Sequence, residues 1–448
     1  VPLVDRFLVP PPAWPPAQDA REVDEVLDYC TRRDPLGDAI HALLACLYVA
    51  CAGLATSLET VAFFLLVGYA ALRGPNLWRA WVPLVAVPFV WAVLLFAAWA
   101  VVSLAWTSDV DAGRDALAGL RALLVLPALA PLAHRRRLIL AALLAGLALQ
   151  VVLQFAQAGG LLEPHPRNPI RHAGLSSHPG QLSSYYAAAF LIGLAWLCSV
   201  RTTRTVIVLV GALALFIAGM LIAAGRGALV SLVVALPILA VLLAPSMRPS
   251  RRLAAIGLAL AATIGLVGAL ALRVADQAGL ARGAHDLARA ADVGSSAGSR
   301  FVFWEAALET WRAHPWIGTG IGGTRDAFLE NDGIRAAAAQ RPDLGFEYFA
   351  HQHPHSTYLQ VLSELGLVGA ALFALVLWTA AKATLRSLSL ARSSGDLVVA
   401  GVAAALAAWS IAAAFDAFLT AGRTLALAMI LLSFLLLPVH RPDRGEVA

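Results

Sequence analysis

Three histidines alternate through His351-Gln352-His353-Pro354-His355-Ser356, directly ahead of a long apolar run. A neutral imidazole at a lipid–water boundary can take a proton from an incoming hydroxyl. His355 opens the run and is the candidate general base, with His353 in support. Spacing at i, i+2 and i+4 also raises the question of a metal. Pro354 disfavours a continuous helix across the three, no fourth ligand lies near in the sequence, and no metal is expected. Arg226 sits in Gly225-Arg226-Gly227 between two apolar stretches, where a guanidinium needs a partner or must reach water. Guanidinium groups grip phosphate oxygens in a two-pronged fork, so Arg226, Arg300 and Arg171 are candidate diphosphate ligands. Asp416, at the end of a later apolar run, is placed to orient one of these groups.

These side chains need a scaffold, and composition says which kind. The chain has 448 residues, is 60% hydrophobic and 14% charged, and has a mean hydropathy of +0.75. Soluble domains run at roughly 45–50% apolar and about 25% charged, so the excess calls for lipid as solvent. The apolar runs are long and uninterrupted, which favours spanning helices over the short alternating strands of a barrel. The expected fold is an all-α polytopic membrane protein of about twelve transmembrane helices. The spans are predicted at 37–53, 57–72, 83–106, 117–133, 138–158, 181–199, 205–224, 227–244, 253–273, 356–381, 397–415 and 423–438. The 205–244 stretch is too long to cross once, and Gly225-Arg226-Gly227 is the natural hairpin tip. No cleavable signal is expected, because the first long apolar run begins near Gly37 after a polar, Pro-rich start.

Orientation follows from the arginines. With a cytoplasmic N-terminus, the loops on that side hold Arg32, Arg33, Arg73, Arg79, Arg135, Arg136, Arg137, Arg201, Arg204, Arg248, Arg251, Arg252, Lys382, Arg386, Arg392, Arg441 and Arg444. The opposite short loops hold only Arg114, Arg167, Arg171, Arg226 and Arg423. The positive-inside bias puts both termini in the cytoplasm and the 274–355 segment outside. The expected organisation is a cytoplasmic tail (1–36), nine helices (37–273), one large periplasmic loop containing short helices (274–355), three helices (356–438) and a second cytoplasmic tail (439–448). Of the eleven histidines, His165, His172, His178, His285, His314, His351, His353 and His355 fall in outer loops, so titratable chemistry gathers on one face.

Several other features narrow the chemistry. Lys382 is the only lysine, which argues against a Schiff base, and the four cysteines suggest neither a disulfide framework nor a metal site. In the outer loop, residues 276–298 are small and polar and are expected to be mobile. Ser299 is expected to cap a helix whose Phe301, Trp304, Leu308 and Trp311 form a stripe, lying either on the membrane surface or on the protein's own core. Gly318-Thr319-Gly320-Ile321-Gly322-Gly323 matches GxGxxG, but no strand precedes it and no βαβ unit follows, so it is expected to be a flexible turn. Nucleoside triphosphates are absent outside the cytoplasm of a bacterium, so a transfer there needs a donor already activated. A lipid-linked diphosphate sugar is such a donor, with its diphosphate at headgroup depth where arginines can stabilise the departing charge.

The segment from His355 to Gly369, HSTYLQVLSELGLVG, matches the H-[NS]-x-x-L-Q-x-x-x-E-x-G-x-x-G pattern of the bacterial O-antigen ligases, and the chain resembles that family within the larger ligase/polymerase superfamily. Ser299-Arg300 with Trp304, His314-Pro315-x-x-Gly318-x-Gly320, Arg171-x-x-Gly174 ahead of His178-Pro179, and Gly225-Arg226-Gly227 support the resemblance. It covers most of the chain. It implies a metal-independent, inverting glycosyltransferase of lipopolysaccharide biosynthesis in the bacterial inner membrane, active at the periplasmic face. Such ligases move O-antigen polysaccharide from undecaprenyl diphosphate to a sugar of the lipid A–core. By resemblance His355 is the general base and Arg226 and Arg300 bind diphosphate. The expected partners are the undecaprenyl diphosphate-linked donor, the lipid A–core acceptor and membrane lipids. No cofactor and no nucleic acid are expected, and the chain is expected to be a monomer.

An O-antigen polymerase and a protein O-oligosaccharyltransferase belong to the same superfamily. One dominant outer loop and a short C-terminal end favour the ligase. A transporter of lipid-linked glycan would need polar or broken helices at the bilayer midplane, whereas these spans are apolar at their centres.

Overall fold

A computed structural model describes residues 20–163, 174–176, 178–223, 225–246, 265, 298–342, 346, 353–419 and 421–437. All regular structure among them is helical: α1 (Ala20–Arg33), α2 (Pro35–Cys51), α3 (Thr56–Leu72), α4 (Gly74–Val85), α5 (Pro88–Val102), α6 (Val110–Gly119), α7 (Val125–Leu129), α8 (Arg136–Ala158), α9 (Pro179–Ser199), α10 (Thr203–Ala223), α11 (Arg226–Leu243), α12 (Gly298–Ala313), α13 (Thr324–Glu330), α14 (Asp332–Gln340), α15 (Thr357–Ser394), α16 (Val398–Ala412) and α17 (Gly422–Ser433). The predicted span 253–273 except residue 265, the loop 276–298 except its last residue, His351 and Arg171 lie outside the described residues.

The apolar runs became helices because only intrachain pairing satisfies backbone groups in lipid. By length and composition six helices can cross a membrane, or up to eight if each of two bent pairs is one span. Val398–Ala412 and Gly422–Ser433 are apolar but shorter. These features mark a multi-pass membrane protein. The hairpin tip at 225 separates α10 from α11 as the length argument required. Two expectations were too simple. Residues 20–33, assigned to a polar tail, form α1, whose Val23, Leu27 and Cys30 are buried, and it packs on α4. The predicted span 83–106 divides at the Val87–Pro88 junction, where a proline is tolerated only in a first turn.

Charged ties hold the two ends of the bundle. At the end where α2 begins, Arg135 donates to Asp38 (2.6 Å), Arg73 to Asp34 (3.0 Å), and the Arg136 guanidinium meets Asp396. At the other end Arg423 donates to Glu59 (2.7 Å), the Ser176 hydroxyl (3.1 Å) and the Leu54 carbonyl (2.9 Å). Arg121 lines a small cavity with Glu59 and Arg423, while Arg135 reaches Asp38 at the far end of α2, so 121–135 traverses the bundle.

The helix α15 breaks at Gly366 (φ +65°, ψ −166°). In an unbroken helix Leu367 and Val368 would donate to the Ser363 and Glu364 carbonyls. Instead they donate to the Pro315 and Trp316 carbonyls (2.9 and 3.1 Å), while the Thr319 and Gly320 N–H groups donate to the Ser363 and Glu364 carbonyls (3.1 and 2.8 Å). The turn after α12 therefore completes the ladder that the break opens. The GxGxxG stretch, expected to be flexible, is pinned. The two backbones touch: a Cβ on Gly318 would sit 2.4 Å from the Glu364 carbonyl, and one on Gly366 would sit 2.4 Å from the Trp316 carbonyl. Both glycines also have positive φ. Thr324, opening α13, donates to the Glu364 carboxylate at 2.9 Å and adds a side-chain tie.

Gly366→Ala is expected to destabilise the folded protein by at least ~2 kcal/mol, through left-handed strain plus the backbone clash. Gly68→Ala, in open space on α3, should leave it unchanged or slightly firmer. Thermal unfolding of the two purified variants beside the wild type checks this, and equal midpoints would refute it.

Candidate functional site

His355 stands just before Ser356, the cap of α15, and is the one non-glycine with positive φ among the described residues (+48°). Left-handed backbone at such a residue is uncommon and needs support. Three contacts supply it. The His355 N–H donates to Nδ1 of His353 at 3.1 Å, the two rings lie 4.2 Å apart, and the Phe303 ring of α12 flanks His355 at 5.8 Å. Ser356 then caps the helix, its hydroxyl accepting the Leu359 N–H at 3.5 Å.

Asp416 comes from the turn after α16, and Thr357 fixes that turn to His355. The Thr357 N–H donates to the Ala413 carbonyl (2.8 Å), its hydroxyl donates to the Asp416 carbonyl (2.8 Å), and the same oxygen accepts the Phe418 N–H (2.8 Å). Thr357 is fully buried. The His355 Nδ1 and an Asp416 carboxylate oxygen face each other at 3.8 Å, an ion-pair rather than a hydrogen-bond distance. Burial raises the Asp416 carboxyl, but the neighbouring His355 ring, His353 and the Ala417 N–H outweigh it and hold it below its ordinary range. Burial and the charge of His355 lower the His353 imidazole to about 4, Asp416 pulling the other way and Arg300 adding to the fall. A neutral His353 keeps the Nδ1 lone pair that holds the His355 N–H.

Arg226 begins α11. A Cβ on the preceding Gly225 would lie 2.1 Å from the Ser183 hydroxyl of α9, so only glycine lets the hairpin tip close against that helix. Arg300 lies in the first turn of α12, whose Phe303, Ala306 and Ala307 pack with Phe328, Ile334 and Ala337 of α13 and α14. The buried face of α12 is thus offset from the aromatic stripe, in which Phe301 is exposed. Arg226, Arg300 and Asp416 line one cleft of about 120 Å³ with Ser184 and Phe415. The open N-terminal turn of α11 adds a positive dipole end to the two guanidiniums, which suits an anion. So five of the six expected site residues, His355, His353, Asp416, Arg226 and Arg300, come together, while Arg171 lies outside the described residues. Arg423, another outer-loop arginine by charge counting, is engaged in structural ties.

Residues 211–374 match the family model described as O-antigen ligase. The match spans 164 of the 448 residues and supports the O-antigen ligase/polymerase superfamily. The match contains Arg226, Arg300 and His355 but ends before Asp416, which the fold adds to the O-antigen ligase region. No curated protein matches the chain.

Thr357 escaped the sequence reading because it occupies an unspecified position of the motif. A second missed group is Gln150, Gln154 and Gln157, buried along one face of α8. Gln157 accepts the Gly174 N–H and donates to its carbonyl, both at 2.8 Å, and Tyr186 donates to Gln154 at 2.7 Å. Three glutamines at helical spacing in an apolar run were the available signal.

The lowered His353 pKa carries a stability consequence. Unfolded, this histidine takes a proton near its ordinary 6.5; folded, only near about 4. Above about 6.5 it contributes no pH dependence. As pH falls from about 6.5 to about 4, the unfolded chain binds a proton that the folded chain refuses, and stability drops. Asp416, held low, acts in the same sense further down: its contribution is lost as pH falls through its folded value. Thermal midpoints of wild type and His353→Asn across this range should show a shallower acid loss for the variant, and parallel curves would contradict the assignment.

Proposed function

We propose that the protein is an O-antigen ligase: a glycosyltransferase that moves O-antigen polysaccharide from undecaprenyl diphosphate to the lipid A–core at the periplasmic face of the bacterial inner membrane. The observation that carries this reading is the convergence of two arginines on one cleft beside a histidine–carboxylate pair. His355 takes the proton of the acceptor hydroxyl as its oxygen bonds to the anomeric carbon of the donor sugar. The bond from that carbon to the diphosphate oxygen breaks, the electron pair stays with the diphosphate, and the configuration inverts. Asp416 steadies the imidazolium that forms. Arg226 and Arg300, with Arg171 as a further candidate, hold the diphosphate and stabilise the charge that grows on it. The arginines take the place a divalent cation occupies in many diphosphate-sugar enzymes, so the step runs without metal or cofactor. Both termini are cytoplasmic, the 274–355 segment is periplasmic, and the positive-inside bias supports that orientation.

Ligase and polymerase differ in acceptor. In a null strain with matching donor and core, the wild-type chain should restore an O-antigen ladder on lipopolysaccharide where long lipid-linked chains otherwise accumulate. Single-repeat donor and core capped with one unit in the null strain would mean a polymerase. His355→Ala should reduce transfer by at least ~100-fold while the protein still inserts. Arg226→Ala and Arg300→Ala should each lower it by about 10- to 100-fold, mainly through donor use. Near-normal transfer by the His355 variant would remove it from the mechanism.

A further inference from the structure

We propose that His353, His355 and Asp416 form a capture site for a borderline transition-metal ion, Zn2+ or Cu2+ in class, and that the captured ion shuts the site off. One donor atom from each residue lies within 4.8 Å of the other two, and all three side chains are half-buried. Two imidazoles and one carboxylate are the donor set of three-ligand zinc sites, which leave one position open. This regulation rests on the proposed role of His355 as base, but the binding does not.

The ion and the base compete for the same electrons. A histidine that donates a lone pair to a metal has none for an acceptor proton. The His353 Nδ1 lone pair now accepts the His355 N–H at 3.1 Å. Coordination through that nitrogen releases the strap that supports the left-handed backbone of His355. Ion capture thus disables the proposed base, and capture through the His353 Nδ1 also loosens its support. The surroundings select the ion. Arg226 and Arg300 line the cleft that Asp416 shares, so any cation enters against two positive neighbours. Mg2+ and Ca2+, which want several oxygen ligands, gain one carboxylate there. Ions that bond strongly to imidazole gain two nitrogens as well and overcome the repulsion. The sequence raised a three-histidine set, from which no metal was expected; His351 lies outside the described residues, and the fold brings to His353 and His355 a carboxylate from sixty-odd residues downstream.

The test uses the full-length protein in detergent, purified without a polyhistidine tag. Co2+ is the probe, read by its ligand-field absorption and displaced by Zn2+. Wild type should bind one equivalent. Asp416→Asn and His353→Ala should each bind at least ~10-fold more weakly. His314→Ala, which removes an exposed histidine elsewhere on the same loop, should bind as wild type does. Absence of a saturable signal, or equal binding by all variants, overturns the site. Loss of the signal in the His314 variant means adventitious surface binding and also overturns it. In a transfer assay, Zn2+ at saturation should reduce the rate at least ~10-fold, Mg2+ should not, and a chelator should restore it. Undiminished transfer with the ion bound overturns the regulatory role. A protein that binds Co2+ as described yet transfers no glycan under any condition refutes the ligase reading and leaves the metal site standing.

Discussion

A helix that breaks leaves carbonyls and N–H groups without their intrahelical partners, and buried ones must find others. In this protein the turn at 315–320 satisfies them, giving two donors and two acceptors to the interrupted ladder at Gly366. That exchange makes the loop helices and α15 parts of one body. Arg300 enters through α12, the helix just before the turn, and His355 stands just ahead of α15. The register between them is set by backbone bonds rather than by side-chain packing alone, which is a stiffer constraint.

The second constraint is the Thr357 clamp. A small β-branched alcohol with no solvent exposure makes four short bonds to the 413–418 turn, and those bonds bring a carboxylate to a histidine from a different helix pair. Losing the hydroxyl would leave the Phe418 N–H unpaired, at about 1–3 kcal/mol, while the Asp416 carbonyl would keep the Thr357 N–H at 3.0 Å. Arg226 arrives by a third route, the glycine-lined hairpin tip against α9. Each charged group thus hangs on its own rigid tie, and the cleft brings cationic and anionic side chains together.

Much of this was legible in the residues. Long apolar runs gave helices because hydropathy and backbone pairing point the same way, and Gly225-Arg226-Gly227 was a tip because no helix of that length fits a bilayer. His355, Arg226 and Arg300 stood out because charge at the edge of an apolar run needs a reason. The rest was hidden where local pattern underdetermines geometry. GxGxxG reads as loose because glycines are permissive, yet here they permit two backbones to meet. The Phe301, Trp304, Leu308 and Trp311 stripe left open whether it faced the membrane surface or the core, and the packing face proved to be that of small Ala306 and Ala307. Asp416 could be only a loop carboxylate until the fold paired it, since no spacing rule links it to His355. The bends at Arg73 and Asp34 were invisible to hydropathy, which measures length and not direction.

The order of the chain gives the Gly366 break one more consequence. Ribosomes deliver residues from the N-terminus, so the 315–320 turn is made before the helix it completes. Until α15 emerges, those four backbone groups of the turn lack their helix partners; until the turn is near, the break in α15 lacks its own. Neither half has a finished fold alone. The docking of turn onto helix therefore has to wait for α15 to be made, and the proposed site is complete only once that docking has occurred.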